Sequence, residues 1–124
     1  AGAITRMVDA FPPEKQEVIR MNMSMSLLAV VAQQLVPTND GGRVLACEVM
    51  VATQAIRALI RENNVHQLDN YIKSGSKDGM VLMDDSLMGL FQKGIISDND
   101  LIRYAINISQ MEENMGSIRK QPNI

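Results

Sequence analysis

The sequence has no tryptophan and only two phenylalanines and two tyrosines in 124 residues, so aromatic stacking contributes little to its interior. Ten methionines fill that space alongside leucine and isoleucine, which gives an adaptable core. Cys47 is the only cysteine, so no disulfide forms within the chain, and a reducing compartment fits. His66, the only histidine, lies in a different segment, which removes the usual basis for a Cys/His nucleophile or a zinc site. No stretch approaches the roughly 20 apolar residues of a membrane helix. A net charge of −2 gives no broad positive field, which argues against nucleic acid and anionic lipid as partners.

The phosphate-wrapping pattern G-x-x-x-x-G-K-[ST] is also absent. Lys73-Ser-Gly-Ser-Lys-Asp-Gly79 carries its glycines, lysine and serines in the wrong order and follows a helical pattern, so it reads as a plain loop. By itself the chain is not expected to hydrolyse ATP, and no catalytic or metal-ligating residue is assigned. It opens Ala1-Gly2-Ala3, with neither methionine nor a signal segment, and reads as a fragment.

What is present describes one domain or part of one, mainly helical with a β-hairpin. Ile4, Met7 and Val8 mark a short helix that Pro12 and Pro13 stop, with Phe11 docking the connection onto the core. A second helix is expected from Glu14 to about Val31, burying a stripe of Val18, Met21, Met25, Leu28 and Ala29. Val30–Val36 and Arg43–Val51 flank the turn formers Pro37–Gly42, which is a hairpin signature. On its second strand Leu45, Cys47, Val49 and Val51 form an apolar face, while Val44, Ala46, Glu48 and Met50 share the other.

Thr53 is placed to cap a helix over Gln54–Asn63 that buries Ile56, Leu59 and Ile60. Short helices follow over Val65–Lys73, with Leu68 and Ile72 inward, and over Met80–Lys93, with Gly94 at its end. Ser97 and Asp100 form a capping-box-like start for the next, ahead of Leu101, Tyr104, Ala105 and Ile108. The helical lobe is taken as 54–109, and 110–124 as a mobile tail.

Asp84 and Asp85 point about 100° apart on a helix and read as a solvated face rather than an acid/base pair. His66, four residues after Glu62, reads as a weak helix-end pair with it. Arg57 and Arg61 lie one turn apart with no acidic residue three or four positions away. Such arginines either meet carboxylates on another element or subunit, or stand solvated on an exposed face.

The same segment carries a resemblance. Ala55-Ile-Arg-Ala-Leu-Ile-Arg-Glu62 is similar to the AIRNLIRE box of the type IV pilus retraction ATPases, the twitching-motility PilT family, departing from it at Ala58. Gly41–Met50 resembles the family's GGRVAAxEIM strand, and Ala29–Leu35 its AVxxQxL segment. Gly79–Leu87 with Leu90–Ser97 resembles GMxxxDxSLxxLxxxGxIS, and Ile4–Pro12 resembles IDRIIDVFP.

The resemblance implies the C-terminal part of a RecA-like P-loop ATPase domain, over 1–109, from an α/β parent that forms a homo-hexamer. ATP and Mg would belong to the parent, whose Walker A, acidic and histidine boxes lie outside this sequence. Carried over by motif, Arg57, Arg61 and Glu62, with Ile56 and Leu59, would supply coupling and subunit-interface surface, and Gln33 and Arg43 would lie near the nucleotide-bearing half. The implied setting is cytoplasmic, peripheral to the inner membrane through a pilus platform protein. Ala58 replaces the family's asparagine and removes any amide contact there. Two other readings stand beside this one: a freestanding helical interaction module, and a fragment of a type II secretion or pilus assembly ATPase.

Overall fold

Ile4 and Val8, one helical turn apart, are the buried residues of helix α1 (Gly2–Asp9). The structure, a computed structural model, describes residues 2–120. Pro12 and Pro13 then open α2 (Pro13–Ser26), with Pro13 at its first position, where a missing N–H costs nothing. Phe11 does not dock onto the core and is 42% exposed. Its N–H closes α1 onto the Val8 carbonyl at 3.1 Å, and α2 begins two residues later, so the ring is left on the outside of a tight turn.

Helix α2 departs further from the sequence reading. It ends at Ser26 rather than near Val31, because the Leu28 carbonyl is taken by the Ala52 N–H at 2.9 Å and the chain becomes strand. The stripe expected inside is outside: Val18, Met25 and Leu28 are 60%, 65% and 79% exposed. Met21, Met23 and Met25 are spread around the helix, so hydropathy does not single out one face, and the face that packs carries Met23, with Leu27 just beyond it, and the buried Ser24.

Strands β1 (Ala29–Pro37) and β2 (Arg43–Val51) form an antiparallel hairpin. Thr38 N–H to Gly42 carbonyl at the turn and Ala52 N–H to Leu28 carbonyl at the open end keep one register throughout. The more apolar face of β2 is not the more buried one. Ala46 and Met50, on the other face, are buried, while Leu45 is exposed.

Two compact units are built on this chain, one from residues up to Ala32 together with Glu48–Leu82, the other from Gln33–Cys47 and Met83 onward. In the first, Thr53 caps α3 (Gln54–Arg61), its side chain accepting from the Ile56 N–H at 3.3 Å. Asn63, at a left-handed φ of 60°, lets the Asn64 N–H return to the Leu59 carbonyl at 2.8 Å and ends the helix. A 3₁₀ turn over Val65–Gln67 leads into α4 (Leu68–Ser74). Ile56, Ile60, Leu68 and Ile72 are fully buried, each worth about 1.5–3 kcal/mol by its transfer from water.

Helix α5 (Met83–Gln92) begins three residues later than its pattern suggests. Gly79 adopts a left-handed φ of 84°, and Val81 exchanges backbone hydrogen bonds with Val49 at 2.9 and 3.0 Å, holding Met80–Leu82 extended against β2. In the second unit, Gly94 at φ 75° ends α5 with the Ile95 N–H on the Leu90 carbonyl. Ser97 caps α6 (Asp98–Tyr104), accepting from the Asp100 N–H at 3.1 Å. Asn39 at the hairpin turn bonds to both the Ile95 and Gly94 carbonyls. The core of this unit joins Val36 and Ala46 to Met83, Leu87, Ile96 and Leu101.

Where a tail was expected from residue 110, the chain forms α7 (Ile108–Lys120), and residues 121–124 lie outside the described residues. Met111 and Met115, four apart, are buried in the core of the second unit, which anchors the helix despite its polar composition. Ile108 accordingly starts a new helix, exposed, instead of extending α6.

Candidate functional site

The two arginines of α3 have different fates. Arg57 is half-buried, and its Nη1 donates to the Ser24 carbonyl at 2.8 Å. Ser24 is itself 2% exposed, with its Oγ donating to the Met21 carbonyl at 2.7 Å. The last turn of a helix leaves carbonyls unsatisfied and carries partial negative charge, so a guanidinium there completes the hydrogen bonding and opposes the dipole. The partner that local sequence did not supply to Arg57 is therefore a backbone carbonyl, not a carboxylate.

Arg61 is exposed, and its side chain makes no hydrogen bond or ion pair among the described residues. Glu62, also exposed, ends α3, its N–H returning to Ala58 and Ile60 carbonyls. Because Asn63 breaks the helix with its positive φ, Glu62 and His66 do not share a helical turn, and the pair expected from their spacing is not formed. Ile56 and Leu59 face inward, at 0% and 7% exposure. They anchor α3 and present no surface. The box thus divides into an inward set, Ile56, Arg57, Leu59 and Ile60, and an outward set, Arg61 and Glu62.

Gln33 and Arg43 are both exposed on the hairpin. In the register of the ladder Gln33 lies opposite Cys47, and Arg43 opposite Pro37, so they are not cross-strand neighbours. The Cys47 N–H bonds to Ser86 Oγ at 3.2 Å, and the Cys47 side chain is half-buried.

Asp84 is not a solvated helix residue. Its two carboxylate oxygens accept from the Ile106 and Asn107 N–H groups at 2.8 and 2.9 Å, pinning the entry to α7. Nothing local in the sequence marks this contact, which spans more than twenty positions. At the hairpin turn, hydrogen bonds from the Thr38 hydroxyl and the Gly42 N–H hold the Asp40 carboxyl below the ordinary range.

Among the described residues no glycine-rich loop leads from a strand into a helix, and no group of three or more His, Cys, Asp or Glu side chains could hold a metal ion. Among the described residues no helix is long and apolar enough to cross a membrane.

No protein-family model matches the chain. It is 40% identical over 112 residues to a twitching motility protein of Neisseria gonorrhoeae, covering 90% of this chain and 30% of that relative. With the type IV pilus retraction ATPase PilT of Pseudomonas aeruginosa it shares 45% identity over 97 residues, covering 78% of this chain and 28% of that one. Among solved structures, the pilus retraction motor PilT with bound ADP superposes with a TM-score of 0.79 at 33% identity, over 90% of this chain and 31% of that one. The Legionella pneumophila ATPase DotB, with a TM-score of 0.63 at 23% identity over 80% of this chain and 27% of that one, shares the fold.

A mainly helical chain carrying one antiparallel hairpin in this arrangement has the fold of the C-terminal region of a PilT-type ATPase. Over the span it shares with them, the chain is similar to these pilus retraction proteins. It spans less than a third of the length of these relatives.

Proposed function

We propose that this chain is the transmitting part of a hexameric, ATP-driven pilus retraction motor, supplying coupling and subunit-interface surface while the rest of the parent polypeptide binds ATP and Mg. The observation that supports this reading is the division of the α3 box: Arg57 fastens the helix to the end of α2, and Arg61 and Glu62 stand outward at its end. A helix held rigidly at its base and charged at its tip can pass a displacement to a neighbouring surface. The same reading gives the exposed Gln33 and Arg43 a place near the nucleotide-bearing half, and sets the motor in the cytoplasm against an inner-membrane pilus platform protein.

The test exchanges the matching span of Pseudomonas aeruginosa PilT for this chain and measures twitching and ATP hydrolysis in the chimera. Twitching with the native span, and its loss with retained hydrolysis in the Arg61→Glu and Glu62→Lys chimeras, is the expected result. A chimera that folds and hydrolyses ATP yet twitches equally well with and without these changes would remove the coupling role. A well-folded chimera that supports secretion and no twitching would move the chain to the secretion ATPases.

A further inference from the structure

Beyond the coupling helix, the first unit contains a cleft of about 110 Å³ between α1, α2 and the connection that follows α3. Its floor is apolar, formed by the buried Ile4 and Val8 and the half-buried Val65. Three residues with donor side chains line it from three different elements: Thr5, Arg20 and Asn63. None of the three side chains makes a hydrogen bond or ion pair among the described residues. Arg20 is half-buried, and its guanidinium, with five N–H donors, has no protein acceptor among the described residues. The neighbouring Gln16 does not serve it, since its Nε2 donates to the Phe11 carbonyl at 3.0 Å.

From this geometry we infer that the cleft is a binding site for a small monocarboxylate, either a free short-chain acid or the side chain of an acidic residue on a peptide. A carboxylate matches the planar fork of Arg20 in two parallel hydrogen bonds, and the hydroxyl and amide complete its acceptor sites. The aliphatic stem of such a ligand covers Ile4, Val8 and Val65. The volume holds several waters or one small acid and excludes a nucleotide. Asp9, which also lines the cleft, sets the charge selectivity, since a fixed carboxylate there repels a dianion such as phosphate more than a monoanion. The left-handed backbone of Asn63, the conformation that ends α3, keeps this residue at the cleft.

The test titrates the whole 124-residue chain with acetate, with N-acetylglutamate amide, with a short glutamate-containing peptide and with inorganic phosphate, all at matched ionic strength, following backbone amides by NMR. Saturable shifts at Thr5, Asp9, Arg20 and Asn63 are expected with the carboxylates, weaker ones with phosphate, and none with chloride. Arg20→Gln should weaken binding about tenfold or more, Arg20→Lys should restore only part of it, and Asp9→Asn should tighten it while narrowing the preference over phosphate. Peptide binding well above that of acetate identifies a protein side chain as the ligand, and equal binding identifies a free acid. Shifts reproduced by chloride, phosphate binding tighter than acetate, or affinity indifferent to both Arg20 variants would overturn the assignment. Should Arg20→Gln unfold, the Asp9→Asn and Arg20→Lys arms still decide it.

Discussion

Arg57 Nη1 lies 2.8 Å from the carbonyl oxygen of Ser24, joining the second turn of α3 to the last turn of α2. This bond separates two arginines that sequence spacing places on one helical face. Arg57→Ala should destabilise the chain by about 1.5–3 kcal/mol, the usual worth of a hydrogen bond to a charged group. Arg57→Lys should recover part of that, and Arg61→Ala should stay within about 0.5 kcal/mol of the parent. Urea denaturation of the three variants reads the difference directly.

The cap of α3 gives a second expectation. Thr53→Ala removes the acceptor for the Ile56 N–H and should cost about 1 kcal/mol, whereas Thr53→Ser should be nearly neutral. The same ordering should hold at Ser97, where Ser97→Ala leaves the Asp100 N–H without its acceptor. Thermal unfolding followed by circular dichroism separates these cases.

Asp84 carries a third. Its substitution by alanine leaves two amides, those of Ile106 and Asn107, without partners at the entry to α7. Hydrogen exchange at these two positions should quicken strongly in Asp84→Ala, with Met111 and Met115 losing protection next, while α3 and α4 are unaffected.

Asp40 yields a prediction in pH. Its carboxyl is held below the ordinary range, first by the Thr38 hydroxyl and then by the Gly42 N–H. A depressed folded-state pKa means that the contribution of this contact to stability is present above the unfolded carboxylate value and disappears as pH falls through the folded one. Carboxyl NMR titration should show Asp40 ionising below a free aspartate, and Thr38→Ala should move it upward. The side chain is fully exposed, so salt should weaken the effect.

Core truncation completes the set. Ile60→Ala or Leu68→Ala, each at 0% exposure, should cost about 2–5 kcal/mol, enough to threaten the fold of a chain this size. By contrast Val18→Ala should cost little, because that side chain is 60% exposed.

The last contrast marks how far the sequence could be read. Where local chemistry is decisive, the sequence sufficed: the hairpin turn, the Thr53 and Ser97 caps, the Gly94 stop, and the inward Ile56, Leu59, Ile60, Leu68 and Ile72 all follow from spacing or from a cap acting on its own helix. The motif carried by Ala55–Glu62 likewise resembles that of the pilus retraction ATPases to which the chain is similar.

Tertiary structure alone decided the rest, because each remaining feature depends on a partner distant in sequence. Methionines spread around α2 leave its hydropathy nearly directionless, and which side became interior was settled by the packing of Met23 and Leu27 against the neighbouring core. Val81 left its helical pattern because Val49 offered two backbone bonds, and α7 formed because Met111 and Met115 found a core to enter. In the same way Arg57 and Arg61 look equivalent along the chain. Only the fold, by bringing an unsatisfied helix-end carbonyl to one of them, made Arg57 a fastener and left Arg61 exposed.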